Sequence, residues 1–408
     1  MTDIAENTGG SGARASFQVP GFGRTWATGW LWHGSRWAAI FVSTFEVNRR
    51  TANPLLVQVV GSVFFAPMFF GGILAGLVSD RFDRARTISG QLLVLAPASM
   101  VMGLLVVTDR APLWSFYVFV LLVGVGNVVD MTSRRTFVLD LVGPTLVTNA
   151  VALESLALFG GNTLGSASGG ALIDALGVGA VFGVIGVVYL VAFLLFRSVP
   201  PIPVTRVGPP SSIRADLREG VALLRANPAL RSLLGVTVVL NFFFFAFMPL
   251  VPVFASKLEV GALLAGLLAS ANGLGTMAGS YVIAAWQPTV RGHIYVAGGA
   301  AGMVMLAVFA NMPVYALALP ALFLCGFCAA GFGSTQGSLV ASVTDPAVRG
   351  RAMGLLSMAI GSLPFGMFSL GVLARQTDPS LAVTVSSVAG LAVLAAWLLR
   401  RPEIRRVA

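Results

Sequence analysis

The sequence predicts an all-α membrane protein with twelve transmembrane helices arranged as two six-helix pseudo-repeats. Of its 408 residues, 56% are hydrophobic and only 10% are charged. A soluble domain carries about 25% charged residues, so this chain has too few charges to cover a water-exposed surface. A spanning helix needs about 20 residues, and the apolar lengths on either side of a polar middle segment accommodate about twelve such helices.

The first 22 residues are polar and rich in glycine and serine, without the apolar core that a signal peptide requires. We expect a disordered tail there. Apolar stretches follow, separated by turn-forming pairs such as Asn53-Pro54, Gly143-Pro144 and Asp378-Pro379. The predicted helices are 24–46, 54–78, 87–108, 112–135, 146–173, 178–197, 232–254, 261–285, 292–311, 313–341, 350–374 and 381–400.

The polar middle segment is predicted to be a cytoplasmic linker. Five prolines between Pro200 and Pro210 prevent regular helix at its start. Beyond them, Ile213, Leu217 and Val221 recur at helical spacing with arginines alongside, which predicts an amphipathic helix on the inner membrane surface. The chain thus divides into a cytoplasmic tail (1–22), an N-terminal six-helix half (23–197), the linker (198–230), a C-terminal six-helix half (231–400) and a cytoplasmic tail (401–408).

The basic residues indicate the topology. The net charge of +10 would suggest a nucleic-acid partner in a soluble chain. No basic run is interleaved with aromatic residues, so we expect no nucleic-acid binding. With the N-terminus inside, twenty basic residues fall in predicted inner segments and five in outer ones, as the positive-inside rule requires. Both termini are therefore placed in the cytoplasm.

An enzyme is not expected, because no nucleophile–base pair or metal-ligand cluster falls at bilayer depth. Cys325 and Cys328 lie in an apolar stretch and cannot close a tetrahedral zinc site alone, so we interpret them as helix-packing residues. The sequence has no G-x-x-x-x-G-K-[ST] loop, which excludes ATP as the direct energy source. No cofactor or metal is predicted, and we expect a monomer.

The clearest motif follows the second predicted helix and reads Gly76-Leu-Val-Ser-Asp80-Arg81-Phe-Asp83-Arg84-Ala-Arg86. It resembles motif A of the major facilitator superfamily, G-x-L-A-D-R-x-G-R-[KR]-x-[KR]. Its D-R-F-D-R form is similar to that of the enterobactin-exporter and macrolide-efflux branch. Stretches at 130–134, 216–220 and 345–354 resemble the same branch. The resemblance extends from about residue 24 onward and implies the major facilitator fold and transport by alternating access.

The resemblance also implies that this motif forms an inner gate. Asp80 would lie at the positive N-terminus of the eleventh predicted helix, where the helix dipole favours an anion. Arg81 belongs to the same motif, and Arg84 would pair with an acid on the fourth helix, for which Asp130 is the candidate. Asp130 and Arg134 are four residues apart, so a simple intrahelical ion pair is the alternative.

Two departures weaken the family's link to export. The efflux motif of the fifth helix reads Gly165-Ser-Ala-Ser-Gly169-Gly170 here without its proline, and Asn162 stands where an arginine is expected. Glycines at 161, 165 and 169 still allow two helices to approach closely. The second half lacks an acid at the equivalent of motif A, between Trp286 and Arg291, so the gate charge is expected to be asymmetric.

Ionisable side chains at bilayer depth are functional candidates, because their burial is costly unless they are paired or hydrated. His33 and Arg36 on the first helix and Glu154 on the fifth fall near mid-bilayer. The family places these helices side by side, so His33 or Arg36 could meet Glu154 as a proton site, or as a static ion pair between the helices. Glu46 and Asp174 fall at outer helix ends, where we expect solvated acids.

Several uncharged groups are candidates for substrate contact. Trp30 and Trp37 share a helix face with His33, which suits a planar or anionic organic substrate or a stacked hydrophobic drug. Simple packing is the alternative for these tryptophans. Asn241 and Gln336 are further candidate polar groups of a central cavity.

The sequence therefore predicts a secondary active transporter that exports a small organic molecule, siderophore-like or drug-like, by proton antiport. The lone mid-membrane arginine favours an anionic ligand slightly. The alternatives are an importer or lipid flippase of the same fold, and a non-transporting membrane sensor. The composition, rich in arginine, alanine, glycine and valine, indicates a GC-rich bacterial genome, so the protein is expected to span the cytoplasmic (inner) membrane many times.

Overall fold

The first half is a succession of long helices. The computed structural model describes residues 14–69, 83–199, 213–286, 290–346, 348–401 and 403. The helices before the linker are α1 (Phe22–Thr51), α2 (Pro54–Phe69), α3 (Arg84–Val107), α4 (Leu113–Leu176) and α5 (Val178–Arg197).

Helix α4 contains two arms, which correspond to the fourth and fifth predicted helices. It is 64 residues long and breaks at Gly143, where φ is 69° and ψ is 173°. Glycine adopts a positive φ without strain, and Pro144 then supplies no backbone donor for the helix of the first arm. The turn signal at Gly143-Pro144 therefore marks a sharp elbow between two membrane spans.

The second half is more broken than predicted. After the linker helix α6 (Ile213–Ala226) come α7 (Pro228–Phe243), α8 (Val251–Lys257), α9 (Ala262–Trp286), α10 (Arg291–Ala310), α11 (Tyr315–Ser342), α12 (Arg349–Ile360), α13 (Leu363–Gln376) and α14 (Pro379–Arg400). The predicted helix at 232–254 is interrupted by a 3₁₀ turn that contains Pro249. The one at 350–374 is interrupted just before Pro364. Proline lacks the backbone donor that a continuous helix needs.

The predicted all-α membrane fold is confirmed. Within the described ranges, nine helical segments are long and apolar enough to cross a membrane, with α7–α8 and α12–α13 each taken as one segment. Since α4 contributes two arms, these segments together with α1 and α2 are consistent with the twelve predicted spans.

A stripe of glycines joins α1 to the second arm of α4. A Cβ built at Gly161 would lie 2.5 Å from the Cβ of His33, and one at Gly165 would collide with the carbonyl oxygen of Gly34. Side chains other than hydrogen do not fit in such contacts, so the two backbones approach as closely as the glycine spacing predicts. This contact fixes α1 against the arm that carries Glu154.

The halves α1–α5 and α7–α14 meet closely at the end of the bundle that bears the α1–α2 turn, which we call the closed end. Asn48 donates a hydrogen bond to Ser256 Oγ at 2.8 Å, and Gln58 donates to the carbonyl of Ala246 at 2.9 Å. Further close contacts between the halves at this end join Gly61 to Pro249, Gly170 to Ala262 and Asp174 to Leu263.

The two acids expected to be solvated both have partners. Glu46 is fully buried and accepts hydrogen bonds from Arg49 and Arg50 at 2.7 and 2.6 Å. Asp174 is exposed, but it accepts a hydrogen bond from the backbone of the other half. The expectation is therefore wrong for Glu46 and incomplete for Asp174.

The predicted disordered tail is wrong for its last residues. Ala15–Gln18 form a 3₁₀ turn, and the N–H and hydroxyl of the fully buried Ser16 donate to Asn149 Oδ1 at 3.1 and 2.6 Å. Phe17 packs edge-on against Phe22 and Trp26. Phe22 is fully buried near the α4 elbow, while Phe17 covers part of Phe22 and Trp26 and stays 39% exposed; these contacts offset the cost of ordering the segment. Residues 1–13 lie outside the described residues.

The linker helix α6 has a protein partner. Glu219 forms an ion pair with Arg351 of α12, with a nitrogen–oxygen distance of 2.5 Å. Leu355, on the same helix, lies 3.2 Å from the position that a Cβ would take at Gly220. The helix predicted to rest on the membrane surface therefore docks on the start of α12.

Candidate substrate cavity and buried charge cluster

A buried ion pair lies inside the first half. Arg134 Nε donates to the two carboxylate oxygens of Asp130 at 2.9 and 3.1 Å, and the two side chains are 3% and 2% exposed. Arg134 Nη1 also donates to the carbonyl of Thr25 and to Thr28 Oγ1, and Gln91 donates to Asp130 at 3.1 Å. Most of its hydrogen-bonding groups have partners, although Arg134 Nη2 has none among the described residues, and the pair connects α1, α3 and α4, so it acts first as a structural link.

Glu154 is the acid of this region whose hydrogen bonds are incomplete. Its Oε1 atom is shielded from solvent and has no hydrogen-bond partner among the described residues. Its Oε2 atom lies 3.6 Å from the position that a Cβ would take at Gly29, and Arg134 Nη1 lies 3.8 Å from the same position. The carboxylate and the guanidinium therefore share the space that this glycine leaves open.

His33 lines the same pocket as Glu154, Asp130 and Arg134. The residue is 5% exposed, and its Nδ1 atom has no hydrogen-bond partner in the described part of the chain. A carboxylate with a free oxygen, next to a cation and an imidazole, is a group that can bind and release a proton.

Arg36 faces away from Glu154. It is 4% exposed, its Nη1 donates to Asn127 Oδ1, and its guanidinium lies 5.3 Å from the centre of the Trp37 ring. Among the described residues, neither Arg36 nor His33 forms an ion pair with Glu154, and the cation beside this acid is Arg134. The sequence places Arg36 at the right depth, but the direction of its side chain depends on how α1 is rotated.

The gate residues are only partly described. Arg84, at the start of α3, forms an ion pair with Asp140 of α4, so the predicted partner Asp130 is wrong. Asp140 lies about three turns further along α4, where α3 begins, whereas Asp130 is turned toward Arg134. Asp80 and Arg81 lie outside the described residues.

The predicted aromatic face of α1 divides between two environments. Trp30 packs against Gly160 of α4, so it belongs to the contact between these two helices. Trp37 lies further along α1 and lines a cavity between the halves, where its Nε1 atom is buried without a partner. Only Trp37 is therefore placed to contact a substrate in that cavity.

The cavity between the halves is the candidate substrate site. It is small, with a volume of about 50 Å³ open to the centre of a water molecule. Much of the wall is apolar and aromatic, with Trp37 and Phe65 from the first half and Phe247 from the second. Each half also contributes one side-chain amide, Asn162 from α4 and Asn272 from α9. No ionisable side chain occurs among the described lining residues.

Asn241 and Gln336 lie elsewhere in the second half. Asn241 donates to the carbonyl of Thr237 at 2.8 Å, and Gln336 donates to Thr237 Oγ1 at 3.3 Å. The hydroxyl of Tyr295 lies 2.7 Å from the same Thr237 Oγ1. The structure thus brings the two predicted residues together in an internal hydrogen-bond network, and neither is among the described residues of the cavity wall.

Two residues of these sites are not predicted from the sequence. Asn272 is a polar side chain within an apolar helix. The same pattern makes Asn241 a candidate cavity residue, so it also identifies Asn272. Asp140 has no such signal, because its role depends on where α3 begins in space. The sequence draws attention to Asn162 only because it replaces an expected arginine of a motif, and does not predict that it lies on the cavity wall.

Two helical halves around a central cavity, with an acid and a cation in a separate pocket of the first half, are the features of a multi-pass membrane transporter. The model of the Major Facilitator Superfamily matches residues 25–367 and 236–408. The chain therefore belongs to this superfamily, and the resemblance seen in motif A is confirmed.

Curated relatives identify a branch of the family near this chain. It is 26% identical to "Enterobactin exporter EntS" of Citrobacter koseri over 382 residues, which cover 89% of this chain and 85% of the relative. It is 24% identical to the protein of that name from Shigella flexneri over 374 residues, with the same coverage.

Solved structures agree in fold. A bacterial homolog of the human lysosomal transporter Spinster, in an inward-facing and occupied conformation, has a TM-score of 0.72 at 16% identity and covers 98% of both chains. The xylose transporter XylE from E. coli, in an inward-open conformation, has a TM-score of 0.68 at 14% identity, covering 94% of this chain and 95% of that one. At these identities the likeness concerns the fold alone.

Proposed function

We propose that this transporter exports a small organic molecule across the cytoplasmic membrane by alternating access, in exchange for protons. The observation that carries the proposal is Glu154, a shielded acid with an unpartnered oxygen, packed beside Arg134 and in the same pocket as His33. Protonation of Glu154 would release its attraction to Arg134, and its deprotonation would restore it. The pocket thereby gains and loses one proton in each cycle, as proton coupling requires.

The contacts between the halves support alternating access. The positive-inside count assigns the closed end to the outer face of the membrane. The described contacts of Asn48, Gln58 and Asp174 then seal the outer side, and a substrate would enter the cavity from the cytoplasm. In an exporter, this is the state that loads substrate.

Enterobactin is the first substrate to test, because it is the molecule that the relatives' names give as exported. The purified protein would be reconstituted in liposomes, and enterobactin flux would be measured with and without an imposed pH gradient. We expect Glu154→Gln to abolish proton-driven flux and to retain exchange of substrate across the membrane, because the neutral side chain carries no proton.

Glu259→Gln is the matched control, because Glu259 is an exposed acid in the α8–α9 turn. It should transport as the wild type does. Unchanged proton-driven flux in Glu154→Gln would remove Glu154 from coupling. Accumulation of enterobactin on the cytoplasmic side would favour the importer alternative.

The inner gate is a separate part of the proposal. Motif A implies that Asp80 stabilises the closed inner side against the N-terminus of α12. The ion pair of Arg84 with Asp140 would belong to the same gate. We expect Asp80→Asn to raise the fraction of molecules that are open to the inside. Modification of single cysteines on the inner cavity wall would measure this, and unchanged accessibility would reject the role.

A further inference from the structure

We infer that the cavity between the halves holds an uncharged aromatic part of the substrate, bound through hydrogen bonds to the side-chain amides of Asn162 and Asn272. The inference rests on the proposed transport function and adds the chemical class of ligand that this cavity selects. It differs from the anionic ligand that the sequence favours, because the arginine behind that preference does not line the cavity.

The lining has no charge to balance an ion. Arg36 donates to Asn127 and its guanidinium lies 5.3 Å from the centre of the Trp37 ring, but Arg36 is not among the described residues of the cavity wall. Burial of an ionic group in an apolar site without a counter-charge is strongly unfavourable. Flat aromatic groups gain instead from contact with the rings of Trp37, Phe65 and Phe247.

The two amides have unused hydrogen-bonding capacity. The side chains of Asn162 and Asn272 form no hydrogen bond with other described residues, and both line the cavity. Thr44, on the same wall, has its hydroxyl bonded to the carbonyls of Ile40 and Phe41. Each amide offers a carbonyl acceptor and an NH₂ donor, so together they suit a ligand that carries both a donor and an acceptor.

The two amides come from different halves, so a ligand that binds both of them is sensitive to the conformation of the protein. Their neighbours in the chain touch, since Thr163 Oγ1 lies 2.7 Å from the position that a Cβ would take at Gly273. Ser270 also donates to the carbonyl of Thr163 at 2.6 Å. A ligand held by both amides therefore binds better when α4 and α9 are in contact, and so favours the state with the closed end sealed.

Three probes of matched shape test the class of ligand: naphthamide, naphthoate and naphthylmethylammonium. Their affinities for the wild-type full-length protein in lipid nanodiscs would be measured by calorimetry. We expect naphthamide to bind about tenfold more tightly than either ion. The amide can form a buried hydrogen bond with the cavity, worth about tenfold in affinity, whereas the charge of either ion would be buried without a counter-charge. Equal affinities, a preference for an ion, or no binding would overturn the inference. This ranking involves no variant and no pH gradient, so it is separate from the Glu154 experiment.

Variants then test the two amides. Asn162→Leu and Asn272→Leu should each weaken naphthamide binding about tenfold, and Asn272→Asp should shift the preference toward naphthylmethylammonium. Ser168→Ala and Thr276→Val are controls on the same two helices, because neither residue is among the described lining residues. Unchanged naphthamide affinity in folded Asn162→Leu and Asn272→Leu proteins would also overturn the inference, and melting temperatures would establish that they are folded.

Discussion

Asp174 of the first half accepts a hydrogen bond from the backbone N–H of Leu263 in the second half, at a distance of 2.9 Å. Leu263 is in the first turn of α9, so a carboxylate from one half lies at the positive end of a helix of the other. This is the charge–helix arrangement that motif A implies for the inner gate, found here at the opposite end of the bundle.

We predict that Asp174→Ala weakens the closed end. The loss of a charge at a helix N-terminus costs about 0.3–1 kcal/mol, which shifts the ratio of the two conformations up to about fivefold. Cysteine modification next to Asn48 would measure the opening. Asp109→Asn is the control, because Asp109 is an acid of the α3–α4 turn within the first half. Equal modification in both variants would contradict a latch at Asp174.

We predict that Asp130→Asn destabilises the protein by about 3–5 kcal/mol, because it leaves the buried Arg134 without its counter-charge. The double variant Asp130→Leu with Arg134→Met should lose less, because it removes both charges. Thermal unfolding in detergent would give the order of stability. A double variant less stable than Asp130→Asn would show that hydrogen bonds to Thr25, Thr28 and Gln91 matter more than the charges.

We predict that Gly165→Ala lowers the melting temperature, because its methyl group meets the carbonyl oxygen of Gly34 and must push α1 away from α4. Such overpacking costs about 1–3 kcal/mol. Gly333→Ala is the matched control, because no atom lies within 4 Å of a Cβ built there. It should be neutral or slightly stabilising, since alanine favours helix. Similar melting temperatures for the two variants would argue against tight packing at Gly165.

We predict that Asp378, in the turn before α14, makes a pH-dependent contribution to the free energy of unfolding. Burial would raise the pKa of this carboxyl, but hydrogen bonds from Lys257 and from the backbone of Ser380 and Leu381 outweigh it, and the pKa is lowered. The unfolded chain therefore binds this proton at a higher pH than the folded chain. The stabilisation is present above the usual aspartate pKa and is lost as the pH falls through the lowered value.

Asp378→Asn tests that contribution and keeps a helix-capping side chain. The melting temperatures of the variant and the wild type should differ at pH 7 and converge in acid. The difference should be small, because both partners are about half exposed. A gap that persists at the lowest pH would assign the effect to something other than this charge.

The fold is predictable from the sequence because few signals decide it. Apolar runs of span length, with breaks at pairs such as Gly143-Pro144, specify helices whose existence does not depend on neighbours. The broken helices around Pro249 and Pro364 are less predictable, because proline in a membrane helix is tolerated wherever neighbouring groups satisfy the freed carbonyls.

The sites are less predictable because they depend on helix rotation. Depth along the chain correctly places Glu154 and His33 at one pocket. It does not show that Arg36 turns to Asn127, or that Arg84 meets Asp140. Those pairings are set by contacts between helices far apart in sequence, and no local periodicity encodes them.

The docking of the N-terminal segment has a consequence for biogenesis. Ser16 is held by Asn149, and Arg24 donates to the carbonyl of Ser198 at 2.6 Å, so these two residues are held by residues made 133 and 174 positions later. During synthesis the start of α1 therefore lacks these partners until the whole first half has left the ribosome. The contacts that hold the start of α1 therefore form completely only after α5 has been made.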